Sequence, residues 1–276
     1  MTPHPLQEGA VEALVRSADP DAVWAAGSAD AVHAASPGDR DAPLDVGGLT
    51  AVLALWPVLG SLVAAGELAL HTPLTAYGEA AAAGLPGGAT AHHLLTRGDG
   101  PPALAALTRL AEHLTGTPLA ECAPARIWRP LGMTRTRFAD GTLYAPLVDL
   151  VRFPSHLLST ADHPISRAWT AESLRIRTGE LTPARGLLWH PAPAGVWAHH
   201  PPAGSGPALW ISPRHDRWAA LVPGAAPAPA PAHDAPAPAP AHDAPAHDAA
   251  PAHGAAHPTP LRTAFREAVF VSTPAE

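Results

Sequence analysis

Among the side chains of this 276-residue chain that could carry acid–base or covalent chemistry one type is missing: all seventeen Lys or Arg positions are arginine, with no lysine. A guanidinium stays protonated at working pH and has no lone pair to act as a base, so a reaction that needs a neutral amine beside its nucleophile finds none here. Carboxylates, histidines, hydroxyls and one thiol remain. Ser205 lies in Gly204-Ser205-Gly206, which is not a Gly-x-Ser-x-Gly elbow and falls in a Pro-Gly loop between strands, so a plain loop competes with a nucleophile there. Thr50 has no basic group a turn away, and its hydroxyl is expected to bond back to the preceding turn. His92-His93 and His199-His200 are adjacent pairs whose rings point in different directions. Neither pair forms His-x-x-x-His or His-Glu-x-x-His, so structural or surface roles are expected before zinc.

Further along, His233, His242, His247, His253 and His257 with Asp234, Asp243 and Asp248 could loosely gather nickel or zinc. Their spacing is irregular and ordering the chain costs about 1 kcal/mol or more per residue, so a solvated spacer is the competing reading. Cys122, in Leu119-Ala120-Glu121-Cys122-Ala123, reads as an inward-facing small hydrophobe. No cofactor is expected.

These residues need elements to hold them. Gln7 to Arg16 has helical spacing, and two short runs, Ala22 to Ala25 and Ala31 to Ala34, read as a hairpin about Gly27-Ser28. Residues 36 to 45 read as a loop and Leu49 to Ala65 as a buried helix bent at Pro57. Residues 49 to 177 are expected to be an all-α subdomain, with a helix from Pro146 to about Leu158 and another over Ser166 to Arg177. Gly186 to His190, Gly195 to His199, Ala208 to Ser212 and Trp218 to Val222 have the period and turns of an antiparallel meander. Residues 223 to 257, an Ala-Pro tract with His-Asp pairs, read as a disordered insert, and Leu261 to Val271 as an amphipathic helix. The expected domain is thus 1–222 completed by 258–276.

Composition narrows the partners. Apolar residues make up 47% and charged ones 15%, enough for a sizeable core. The formal charge is −7 and no arginine-rich face interleaves with aromatics, which argues against nucleic acid. The most apolar window, Leu49 to Leu70, is broken by Pro57, Gly60, Gly66 and Glu67 and falls short of the roughly 18 to 20 unbroken residues of a membrane span. Residues 1 to 20 have no signal-peptide pattern, so a cytoplasmic protein is expected.

Several local words occur in one order: Asp45-Val46-Gly47-Gly48-Leu49-Thr50-Ala51-Val52 with Leu55-Trp56-Pro57; His93-Leu94-Leu95-Thr96; Thr115-Gly116-Thr117-Pro118-Leu119; Ile127-Trp128-Arg129-Pro130-Leu131-Gly132-Met133; Asp149-Leu150-Val151-Arg152-Phe153; and Ala208-Leu209-Trp210-Ile211-Ser212. The series resembles the serine β-lactamase and penicillin-binding-protein family, from about Asp21 to Val222 plus the last helix. That resemblance implies an α/β (α+β) fold, an antiparallel sheet flanked by N- and C-terminal helices plus a helical subdomain. It also implies a Ser-x-x-Lys pair, a tyrosine loop and a His/Lys-Thr/Ser-Gly strand.

On this chain Gly48 falls at the serine, Ala51 at the lysine, Pro101-Pro102 in the tyrosine loop, and His199-His200-Pro201-Pro202 on the strand. The span from Phe138 to Asp149 looks shorter than the family's pocket wall. Three lost elements together imply a pseudoenzyme with a vestigial site of Gly48, Ala51, His200 and Ser205, still able to hold a small-molecule or peptide ligand. Two alternatives stand beside it: a hydrolase of ester, amide or β-lactam bonds acting through Ser205 and His200, and a metal-binding or scaffolding protein working through its histidine-rich segment.

Overall fold

In a computed structural model the residues described are 6–97, 100–177, 184–201, 206–224 and 260–271. Helix α1 (Glu8–Ala18) turns Val11 and Val15 inward and leads into the hairpin of β1 (Val23–Gly27) and β2 (Val32–Ala35). Gly27 is required there. A Cβ on it would lie 2.3 Å from the Ala31 carbonyl oxygen and 2.6 Å from the Trp218 ring.

The C-terminal half supplies β6 (His190–Ala192), β7 (Val196–His199), β8 (Ala208–Ser212) and β9 (Arg217–Val222), a consecutive antiparallel meander. β9 then pairs with β1, giving one six-stranded sheet in the order β2-β1-β9-β8-β7-β6. The chain's two ends therefore share a sheet. The last helix, α10 (Leu261–Phe270), lies with α1 on one face, where Phe265 is edge-on to Trp24 at 5.8 Å and tilted on Trp210 at 5.7 Å.

The opposite face meets α7 (Leu147–Leu150) and α8 (Arg152–Leu158), and the rest of the helical block is α2 (Trp56–Ala64), α3 (Glu79–Ala82), α4 (Ala91–Arg97), α5 (Pro101–Thr115), α6 (Leu119–Ala123) and α9 (Arg167–Ser173). Its core is aromatic. Trp56 meets Trp169 at 5.7 Å, Trp189 at 6.0 Å and Phe153 at 6.3 Å, and its indole N–H donates to Ser173 Oγ at 2.9 Å. Gly60 lets Trp169 in, since a Cβ there would be 2.4 Å from the ring. Among the described residues no helix is long and apolar enough to cross a membrane.

Several sequence expectations need correction. Residues 49–177 are not all-helical: β4 (Arg137–Ala139) and β5 (Thr142–Pro146) form a hairpin joined by β3 (Pro43–Asp45) into a second sheet, β3-β5-β4. Its turn is Asp140-Gly141 with φ of 48° and 77°, the positive-φ pair that matches hairpin twist. The presumed loop 36–45 thus ends in a strand, specified only by its pairing with β5.

The expected helix over 146–158 is two. Pro154 has no N–H for the Leu150 carbonyl, and the chain breaks at Val151 between α7 and α8. The helix begun at Ser166, whose hydroxyl accepts the Trp169 N–H at 3.1 Å, ends at Ser173 instead of Arg177. The first meander strand is shifted to His190–Ala192, because Leu187, Leu188 and Trp189 are buried as a turn with Leu188 at φ 62°. The insert, 223–257, lies outside the described residues apart from Pro223 and Gly224.

Candidate functional site

The central helix of the block enters in three steps. Gly47–Leu49 is a 3₁₀ turn whose first N–H is taken by Asp45 Oδ1 at 2.9 Å, and the Thr50 hydroxyl donates back to the Gly47 carbonyl at 2.8 Å. Ala51–Leu55 is a π-helical turn, in which the Trp56 N–H reaches the Ala51 carbonyl, and α2 continues from Trp56. Pro57 explains part of this. It has no N–H for the Leu53 carbonyl, which instead accepts the Trp128 indole N–H at 2.8 Å. The bend expected at Pro57 is thus a wide turn just before it.

Beside this entry is a cavity of about 430 Å³. Its floor is Gly47, Gly48, Thr50, Ala51 and Leu55. One wall comes from α5, where Pro101 and Pro102 occupy the first turn without leaving any N–H unused, and Leu104 and Thr108, four residues apart, share the inner face. The other wall is Leu188 together with His199 at the end of β7 and the next two residues, His200 and Pro201.

Two imidazoles face this space. His199, 4% exposed, puts Nδ1 2.7 Å from the Leu188 carbonyl oxygen, and its ring is edge-on to Trp189. His200 puts Nδ1 3.0 Å from the Pro201 carbonyl oxygen, and its ring centre is 5.6 Å from that of His190, which is itself bonded to Arg185. A carbonyl only accepts, so Nδ1 of each ring donates and Nε2 of the neutral ring is an acceptor.

Gly48 is the tightest point of the site. A Cβ added to it would stand 2.7 Å from Pro201 Cγ and 3.2 Å from two atoms of Pro207, so Pro201 would have to shift to admit even a methyl there. Ala51 opens the π turn on the same cavity, with only its methyl directed there. The structure therefore brings Gly48, Ala51 and His200 together. Ser205 lies outside the described residues, as do His233, His242, His247, His253 and His257. Among the described residues no group of three or more His, Cys, Asp or Glu is placed to hold a metal.

The other singled-out residues are apart from the cleft. His92 stacks on His71 at 4.5 Å; its pKa is held below the ordinary imidazole value by burial first, then by His71, Arg177 and His93. Cys122 is buried, and that burial pushes its thiol up. The residues that sequence reasoning missed are Leu104, Thr108 and Leu188 in the cleft and Pro207 beside Gly48. Only the first two carried a signal, their i, i+4 spacing on an amphipathic helix.

No protein-family model matches the chain, and no curated protein matches it in sequence. Solved structures do. A β-lactamase from Mycobacterium bovis superposes with a TM-score of 0.60 over 76% of this chain and 90% of its own, at 18% identity. The octameric penicillin-binding protein homologue from Pyrococcus abyssi gives 0.65 over 79% and 74%, at 14% identity, and a class C β-lactamase from Rhodobacter sphaeroides 0.65 over 78% and 94%, at 12%. The fold is that of the β-lactamases and penicillin-binding proteins. In this fold Gly48 and Ala51 stand at the head of the central helix, Pro101 at the start of α5 and His199 at the end of β7.

Proposed function

We propose that this protein is a pseudoenzyme of the serine β-lactamase-like fold, without acyl-transfer chemistry, that retains its cleft as a binding site for a small ligand. One observation carries the reading: at the position where the fold's nucleophile is expected, a Cβ on Gly48 would stand 2.7 Å from Pro201 Cγ and 3.2 Å from Pro207, so a side chain enters only if the Pro201 ring shifts. A missing hydroxyl could be a single substitution. Crowding by two prolines adds a second obstacle, since restoring the hydroxyl would also require Pro201 to move.

The rest supports the same reading. Ala51 stands where the activating amine is expected, the chain has no lysine, and the Thr50 hydroxyl is committed to the Gly47 carbonyl. With the expected serine and lysine both replaced, what the described cavity retains is shape, apolar surface and two imidazoles, the ingredients of recognition.

The test is acylation. Incubating the full chain with a labelled penicillin and with an activated ester, then weighing it intact, is expected to show no adduct. A covalent adduct on Ser205 or any other serine would overturn the proposal. The double substitution Gly48→Ser with Ala51→Lys is expected to stay inactive, at less than about a thousandth of the rate of an active serine hydrolase, because the serine Cβ meets Pro201 and the rest of the machinery is absent. Measured hydrolysis of the ester by that variant would show that the site is open after all.

A further inference from the structure

The ligand that the cleft can hold is constrained by charge. All seventeen arginines are among the described residues, there is no lysine, and none of the arginines lines the cavity. Arg185 is held on His190, Arg177 pairs with Glu172, and Arg262 donates to the Gly206 carbonyl. No stretch outside the described residues contains an arginine or lysine that could reach in. A carboxylate entering this space would lose its water without meeting an arginine or a lysine in return.

The other usual refuge for an anion is a helix N-terminus, where exposed N–H groups and the dipole favour negative charge. Here that end already holds one. Asp45 Oδ1 accepts the Gly47 N–H at 2.9 Å, so a second anion would meet a carboxylate as well as a dipole. The walls are Leu55, Leu104, Leu188, Pro101 and Pro201, and Ala51 leaves open the volume a longer side chain would fill. Of the four polar positions, Thr50 is bonded to the Gly47 carbonyl and His199 to the Leu188 carbonyl, while the His200 ring and Thr108 suit one hydroxyl, with His200 Nε2 as its acceptor.

We propose that the cleft is selective for uncharged, mainly aliphatic molecules bearing a hydroxyl and discriminates against carboxylates of the same shape. This rests on the reading of the cleft as a retained binding site. A cavity of about 430 Å³ is of the size that takes such molecules.

The full chain at pH 8 is titrated with Nile red, a neutral dye, which is then displaced by 1-decanol or by decanoate. Decanol is expected to displace at a concentration at least tenfold below decanoate. Ala51→Leu, which narrows the cavity, is expected to weaken dye and decanol at least tenfold, and Leu104→Arg, on the half-buried wall, to bring decanoate ahead of decanol. Thermal melts of both variants confirm folding, and the wild-type comparison stands without them. Decanoate matching decanol on the wild type overturns the ligand class while leaving the cleft a binding site. So does a failure of both to displace a dye whose signal Ala51→Leu removes. A dye signal that is absent, or indifferent to both variants, overturns this inference and the binding half of the proposed function together.

Discussion

Charge at single residues sets how this protein responds to pH. His156 is half-buried with Nε2 3.0 Å from the Ile165 carbonyl oxygen; burial, the largest influence, holds its pKa below the ordinary value, against a smaller upward pull from that hydrogen bond. His92 is lowered in the same sense. A histidine whose folded pKa lies below its unfolded one, about 6.5, is more protonated in the unfolded chain, so stability is complete above about pH 6.5 and is lost as pH falls toward the folded value. Urea midpoints are therefore expected to drop between pH 7.5 and pH 5.5, with a ceiling of about 1.4 kcal/mol per pH unit for each group, lowered by partial exposure. His156→Gln is expected to flatten part of that slope; an unchanged slope would remove His156 from the account. The residues of the cleft itself were readable from sequence only where a comparison word covered them, as at Gly48 and Ala51. Leu188 and Pro207 were not, because what they do depends on φ of 62° in one case and on contact with a glycine far away in the chain, Gly48, in the other.

Elements here are shaped by prolines inside helices. Pro57 leaves the Leu53 carbonyl without a backbone donor, and Trp128, from the second π-helical turn (Pro124–Trp128), supplies one from across the block. Trp128→Phe removes that donor and leaves a buried carbonyl unsatisfied, an expected loss of about 1 to 3 kcal/mol by urea unfolding. If Pro57→Ala restores a backbone N–H, the same Trp128→Phe change should cost less in that background, a coupling that a double-mutant cycle measures. Additive costs would mean that the two residues act separately. Helices and the meander were legible because periods of 3.6 and 2 are written locally, as in Leu104, Leu107 and Thr108 or in Trp218 to Val222. The β4–β5 hairpin was legible in principle from Asp140-Gly141, flanked by Arg137-Phe138-Ala139 and Thr142-Leu143-Tyr144. β3 was not, since Pro43-Leu44-Asp45 has no period of its own and exists by pairing with β5.

At the scale of the whole molecule, the sheet joins both ends of the chain, because β1 sits between β2 and β9 and α10 closes the same face as α1. Phe265, fully buried between Trp24 and Trp210, is where those ends meet. Phe265→Ala is expected to cost about 3 to 5 kcal/mol, with tryptophan fluorescence and far-UV circular dichroism still moving together, since neither end holds a core without the other. Separated transitions would show two independent units. The outer strand β6 contains Pro191, opposite Trp197, so this border of the sheet has one amide hydrogen fewer to offer a newcomer. A β-strand from a second molecule cannot extend the ladder there without a gap, which guards that flank against edge-to-edge aggregation.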